Sequence, residues 1–187
     1  AAVASGLFTS KNISDTEIDR VYSEILKSKR NIVLVGMPSS GKTTVGKRLS
    51  ECLDMPFVDT DQEIIKQEGK QISQIFALVG EDGFRDIEQR VIAEVSKRQH
   101  CVIATGGGAV LRQANITALR GNGRVYFIDR PLELLTGTAD RPLSSNADDL
   151  KKRYGERYEI YKSVSDRHIK NDTDINTVLG IVRDDFL

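Results

Sequence analysis

The stretch Ile32-Val33-Leu34-Val35-Gly36-Met37-Pro38-Ser39-Ser40-Gly41-Lys42-Thr43 decides the architecture of this chain. Its first four residues form an uninterrupted apolar run that stops at glycine, the pattern of a short strand buried on both faces. A helix is expected from Lys42 to about Leu53. Between the two, Gly36 to Thr43 satisfies G-x-x-x-x-G-K-[ST] in full. Gly36 and Gly41 let the backbone curl so that successive N–H groups point inward at phosphate oxygens. The helix that opens at Lys42 adds its positive dipole end. Lys42 can reach the β- and γ-phosphates of ATP, a catalytic as well as a binding role, and the Thr43 hydroxyl can complete the shell of a Mg²⁺ ion. Ser39, Ser40 and Thr44 belong to the same nucleotide-binding set. The motif names a nucleotide, not a second substrate.

Outward from this stretch, strand and helix patterns alternate. Short strands are expected at 56–58, 101–104, 124–128 and 167–170. Helices are expected at 61–68, 72–78, 81–98, 112–119, 131–137, 147–163 and 174–184. Such alternation predicts an α/β fold, three layers with a central parallel sheet and helices on both faces. Ligands then bind beyond the carboxyl ends of the strands, where Gly36, Asp59, Asp61 and Gly106 all fall. Residues 31–187 read as one domain, with a lid at about 139–148. Residues 1–30 read as an extension. Within it, 14–29 is an amphipathic helix with Ile18, Val21, Tyr22 and Ile25 at helical spacing, and Ser14 with Glu17 resembles a capping box.

Lys and Arg number 27 and Asp and Glu number 27, so no global field favours nucleic acid or an anionic membrane, and any anion site must be built locally. No apolar run reaches the length of a membrane span. Asp15, Glu17, Asp19 and Glu24 argue against a secretory or transit leader. Cys52 and Cys101 sit in apolar sequence without metal-type spacing and read as buried thiols of a cytoplasmic protein. An opening Ala1 without methionine favours a piece of a longer or processed chain.

Three clusters carry the second substrate. In Phe57-Val58-Asp59-Thr60-Asp61 the carboxylates alternate at a strand end, so one can serve the metal through water while the other faces the acceptor. Both can also simply cap the next helix. In Gly83-Phe84-Arg85-Asp86-Ile87-Glu88, Arg85 and Glu88 share a helix face, either as a surface salt bridge or as ligands. In Thr105-Gly106-Gly107-Gly108-Ala109-Val110, the glycines present backbone at the rim or serve a turn that needs positive φ. In this order behind the phosphate loop, the clusters resemble the shikimate kinase family over most of residues 31–170.

The resemblance implies transfer of the γ-phosphoryl group of ATP to the 3-hydroxyl of shikimate, a step of aromatic amino acid biosynthesis. It implies Mg²⁺ held by Thr43 and Asp59, and Asp61 bonded to the acceptor hydroxyl as its base. Arg85 grips the substrate carboxylate through its planar fork, with Glu88 on the hydroxyls and Gly106, Gly107 and Gly108 against the ligand. Asp140-Arg141-Pro142-Leu143 resembles the lid, with Arg141 closing on the phosphates. Arg157 matches a second carboxylate-binding arginine. The helix within residues 1–30 either packs on the domain or tethers it to another enzyme of the pathway. A gluconate or nucleoside-monophosphate kinase of the same architecture would not be expected to combine the Arg85–Glu88 pair with the triple glycine. A nucleotide-binding module without turnover would lack one of Lys42, Thr43, Asp59 or Asp61, and all four are present.

Overall fold

The computed structural model describes residues 14–135 and 147–187. Five strands form one parallel sheet: β1 (Asn31–Val35), β2 (Phe57–Asp59), β3 (Val102–Ala104), β4 (Gly123–Asp129) and β5 (Arg167–Lys170). Their order is β2-β3-β1-β4-β5. The decisive strand β1 is central and buried along its whole length, which is why its sequence shows no polar alternation. Its side chains divide between two cores. Ile32 and Leu34 face α2 (Lys42–Leu53) and α7 (Ile175–Phe186), whose Val45, Leu49, Val178 and Val182 complete that layer. Val33 and Val35 face the other layer, formed by α4 (Ile72–Val95), α5 (Gln113–Gly121) and α6 (Ala147–Val164). Among the described residues the remaining α-helices are α1 (Asp15–Lys29) and α3 (Thr60–Glu68). The three-layer expectation holds.

Glycine permits one close approach that the layers need. A Cβ on Gly46 of α2 would lie 2.5 Å from Phe57 Cε2, so α2 can seat on the sheet only without a side chain there. Gly80, at φ 71° and ψ −174°, breaks α4 into the two helical segments expected from the sequence. The segment expected to be helical at 131–137 instead forms a 3-10 turn, Leu132–Leu134, in its described part. The thiols also divide: Cys101 is buried, whereas Cys52 is exposed on the outer face of α2. Its position four residues beyond Arg48 puts it on the solvent stripe of the helix rather than in the core.

Helix α1 forms as expected, with the Glu17 N–H donating to Ser14 Oγ at 3.3 Å. Its apolar stripe, Ile18, Val21, Tyr22, Ile25 and Leu26, is nonetheless exposed and belongs to neither core. The Lys29 carbonyl accepts from the His100 N–H and from Asn122 Nδ2 at the helix end. No helix among the described residues is long and apolar enough to cross a membrane. Arg141 and all but the last two residues of the expected lid lie outside the described residues.

Candidate functional site

Every strand delivers its carboxyl end to one rim. Beyond β1 the loop Gly36–Gly41 turns back on itself, with Gly36 at φ 148°, Ser39 at φ 63° and Gly41 at φ 94°. Positive φ at Gly36 and Gly41 explains both motif glycines; Ser39 bears the same conformation with a side chain. Neighbours leave the glycines no room either. A Cβ on Gly36 would meet the Ile128 carbonyl at 2.5 Å, and one on Gly41 would meet Asn171 Nδ2 at 2.6 Å. Lys42 threads its buried ammonium back through the loop, donating to the carbonyls of Gly36 (2.9 Å) and Met37 (2.7 Å).

Asp59 ends β2 and caps α3. Its Oδ1 accepts from the N–H groups of Asp61 (3.0 Å) and Gln62 (3.4 Å), and its Oδ2 accepts from Thr43 Oγ1 at 2.9 Å. One carboxylate is therefore both cap and partner of the motif threonine. Asp61 corrects the sequence reading: it lies in the first turn of α3, not on the strand, so helix geometry rather than strand alternation separates it from Asp59. Thr60, between them, is fully buried and accepts the Gly106 N–H through Oγ1 at 3.0 Å. That bond ties the end of β3 to the start of α3.

The three glycines after β3 have no positive φ, so the turn explanation fails for them. Close approach explains all three. A Cβ on Gly106 would meet Asp61 Oδ1 at 2.6 Å and Glu88 Oε1 at 2.9 Å, which brings both carboxylates to one point. On Gly107 it would meet Pro38 Cδ of the phosphate loop at 2.6 Å. On Gly108 it would meet the Arg85 guanidinium, Nη1 at 2.2 Å and Cζ at 2.4 Å.

Arg85 and Glu88 are no surface pair. They are 8% and 1% exposed, with Arg85 Nη1 donating to Glu88 Oε2 at 2.7 Å and Nη2 to Glu81 Oε1 at 3.1 Å. Burial pulls the Arg85 guanidinium down, but Glu88 and Glu81 outweigh it and hold its pKa above the ordinary value. Burial holds the Glu88 carboxyl above its usual range, and neighbouring Asp61 adds to this, against the attraction of Arg85 and Arg157. Arg157 of α6 is equally buried and donates from Nη1 to the Gly107 carbonyl at 3.3 Å. The same carbonyl accepts from the Tyr161 hydroxyl, whose pKa is pushed up to about 12 chiefly by burial. Buried Arg85, Arg157 and Glu88 and half-buried Asp61 thus form one cluster of two cations and two acids around a glycine turn.

Among the described site residues, the sequence reading omitted Thr60, Tyr161 and Asn171. Tyr161 lies four residues, a helical step, beyond Arg157, and Asn171 is the first residue beyond β5, where rim residues are expected. Thr44 is exposed on the first turn of α2. Beside the loop, a cleft of about 380 Å³ opens between the ends of β4 and β5, lined by Asp129, Pro131, Leu132, Tyr154 and Tyr158.

The family model described as "Shikimate kinase" matches residues 38–183. A shikimate kinase of Clostridium botulinum (strain Eklund 17B / Type B) is 41% identical over 162 residues, 83% of this chain and 96% of that protein. A shikimate kinase of Caldicellulosiruptor bescii is 47% identical over 125 residues, 65% of this chain and 73% of that protein. Among solved structures, shikimate kinase from Acinetobacter baumannii in complex with shikimate superposes with a TM-score of 0.80 at 32% identity. It covers 87% of this chain and 98% of its own. Shikimate kinase from Aquifex aeolicus gives 0.73 at 35% identity, covering 82% and 94%.

Proposed function

Because the chain belongs to the shikimate kinase family and its reaction is the ATP-dependent phosphorylation of shikimate, we propose how its residues divide that reaction. The observation that carries the reading is the contact of Pro38 with Gly107, which sets the phosphate loop against the cluster of acids and arginines. Two substrates bound at these places meet near Asp61. The loop N–H groups and Lys42 bind the β- and γ-phosphates and stabilise the charge that develops on the transferred group. Arg85 and Arg157 hold the shikimate carboxylate; Arg85 Nε, buried with no hydrogen-bond partner of its own, is a donor in reserve for it. Glu88 and the glycine turn position the hydroxyls. Asp61 accepts the hydrogen bond of the 3-hydroxyl, aligns its oxygen in line with the γ-phosphorus and takes the proton.

Mg²⁺ fits the donors present. The Thr43 hydroxyl and the Asp59 carboxylate lie together, and no cluster of three or more acidic, His or Cys side chains among the described residues could hold a metal alone. That is the donor set of an ion that takes its remaining ligands from phosphate and water. When bound, it neutralises phosphate charge. Arg141 is assigned by its sequence to the lid that closes on the phosphates. Residues 1–30 are assigned as an extension outside the kinase domain, and a tether role for them rests on the exposed stripe of α1 alone.

The test is a coupled ADP-release assay with shikimate, shikimate methyl ester, quinate and gluconate, run on wild type and Arg85→Lys. Wild type uses shikimate far better than its ester. Arg85→Lys keeps the charge but loses the fork, so KM for shikimate rises while KM for ATP stays put. Equal use of acid and ester by wild type overturns the arginine roles.

A further inference from the structure

Asn171 belongs to no motif, yet it touches the phosphate loop from 131 residues away. It is 7% exposed and follows directly on β5, with its N–H donating to the Asp129 carbonyl at 2.6 Å. Its side-chain amide donates from Nδ2 to the Ser40 carbonyl at 2.8 Å. An acceptor must face a donor, so the nitrogen of that amide is the atom in contact.

The target is the weak point of the loop. The Ser40–Gly41 peptide precedes a glycine at φ 94°, and glycine accepts φ of either sign, so this peptide can invert at little cost. Elsewhere Ser40 is already engaged: its N–H donates to the Met37 carbonyl at 3.1 Å, and its hydroxyl lies 3.4 Å from the Lys42 ammonium. Its carbonyl is taken by Asn171. In a trans peptide the C=O and N–H point to opposite sides. Holding the Ser40 carbonyl toward Asn171 therefore holds the Gly41 N–H on the side away from Asn171.

We propose that Asn171 is a positioning residue for the nucleotide: its amide locks the Ser40–Gly41 peptide so that the Gly41 N–H faces the phosphates. The proposal rests on the assignment of residues 36–43 as the phosphate loop. It also accounts for the tight fit at Gly41, whose missing Cβ leaves the place 2.6 Å from Asn171 Nδ2.

Asn171→Leu keeps a side chain branched at Cγ over Gly41 but donates nothing, and Asn171→Ala removes both shape and donor. In both, the Kd for ADP and the KM for ATP rise at least about tenfold and kcat falls, as expected for loss of a preorganised donor. The Kd for shikimate measured alone stays within about threefold, since the acid site makes no use of this peptide. A purely structural role would weaken both substrates together, and that result overturns the proposal, as does an unchanged KM for ATP in a folded variant. Lys42→Ala is run alongside. If it keeps full turnover, the loop assignment itself fails; if it loses turnover while Asn171→Leu matches wild type, only the positioning role fails. A measurement on wild type covers the case in which neither variant folds. The Asn171 side-chain amide protons should exchange slowly by NMR, and exchange as fast as that of an exposed asparagine overturns the lock.

Discussion

Asp59 performs two tasks with its two oxygens, and the division makes it testable apart from Asp61. Oδ1 accepts the N–H groups of α3 while Oδ2 meets Thr43. Asn caps helices about as well as Asp, so Asp59→Asn leaves the fold in place and removes only the charge next to Thr43. The expected outcome is a higher Mg²⁺ concentration for half-maximal rate. Asp61→Asn should keep Mg·ATP binding and abolish turnover, since an amide accepts no proton from the hydroxyl. Paired Mg²⁺ titrations of rate decide, and reversed phenotypes would exchange the roles. Glu88 carries a pH signature of its own. Burial raises its folded pKa above the ordinary 4.5, so the folded chain keeps a proton that the unfolded chain has released. The group's contribution to stability is full below 4.5 and is lost as pH rises through the folded value. Glu88→Gln removes this dependence, while its effect on Arg85 is constant because the guanidinium does not titrate in that range. The Tm difference, variant minus wild type, should therefore climb as pH rises from about 4.5 toward neutrality; a flat difference would mean that Glu88 is ionised throughout.

The glycine turn after β3 works as an element because each of its residues admits a different neighbour. Gly108 has φ −98°, which alanine adopts freely, so any effect of Gly108→Ala comes from the added methyl against Arg85. Displacing the guanidinium from Glu88 and from a substrate carboxylate forfeits a charged hydrogen bond, worth about 1.5–3 kcal/mol. The KM for shikimate should rise by about 10- to 150-fold at nearly constant KM for ATP. Steady-state kinetics with each substrate varied in turn would show it, and equal rises in both would point to a general loss of the rim. This element also marks where sequence reading stopped. The strand run Ile32–Val35 and the phosphate loop were legible because burial on both faces and phosphate binding each demand one local pattern. The reason for the three glycines was not legible, since it lies in Asp61, Pro38 and Arg85, all distant in sequence. Nor was the place of Asp61: an alternation of two carboxylates looks the same whether the chain continues as strand or enters a helix at Thr60. Tyr161 and Asn171 were missed for a related reason, because a buried hydroxyl or amide declares its partner only once the chain is folded.

At the scale of the molecule, no described side chain of α1 enters either core. Deleting residues 1–28 keeps Lys29 and its carbonyl contacts, so stability should change by less than about 0.5 kcal/mol and Tm by under about 2 °C. Turnover should be unchanged; a large loss in calorimetry or in rate would place α1 within the domain. The brace from Asn171 to Ser40 has a different kind of consequence, one of timing. The nucleotide loop is complete once residue 44 has been made, but its brace arrives only with the last strand, 131 positions after Ser40. Parallel strands joined by helices gain their contacts late, after long segments have been closed into loops. A nascent or refolding chain therefore carries its phosphate motif long before it can hold a nucleotide firmly. In a refolding experiment, capture of a fluorescent ADP should lag behind the return of helical signal, and the lag should vanish only if the loop can organise itself without β5.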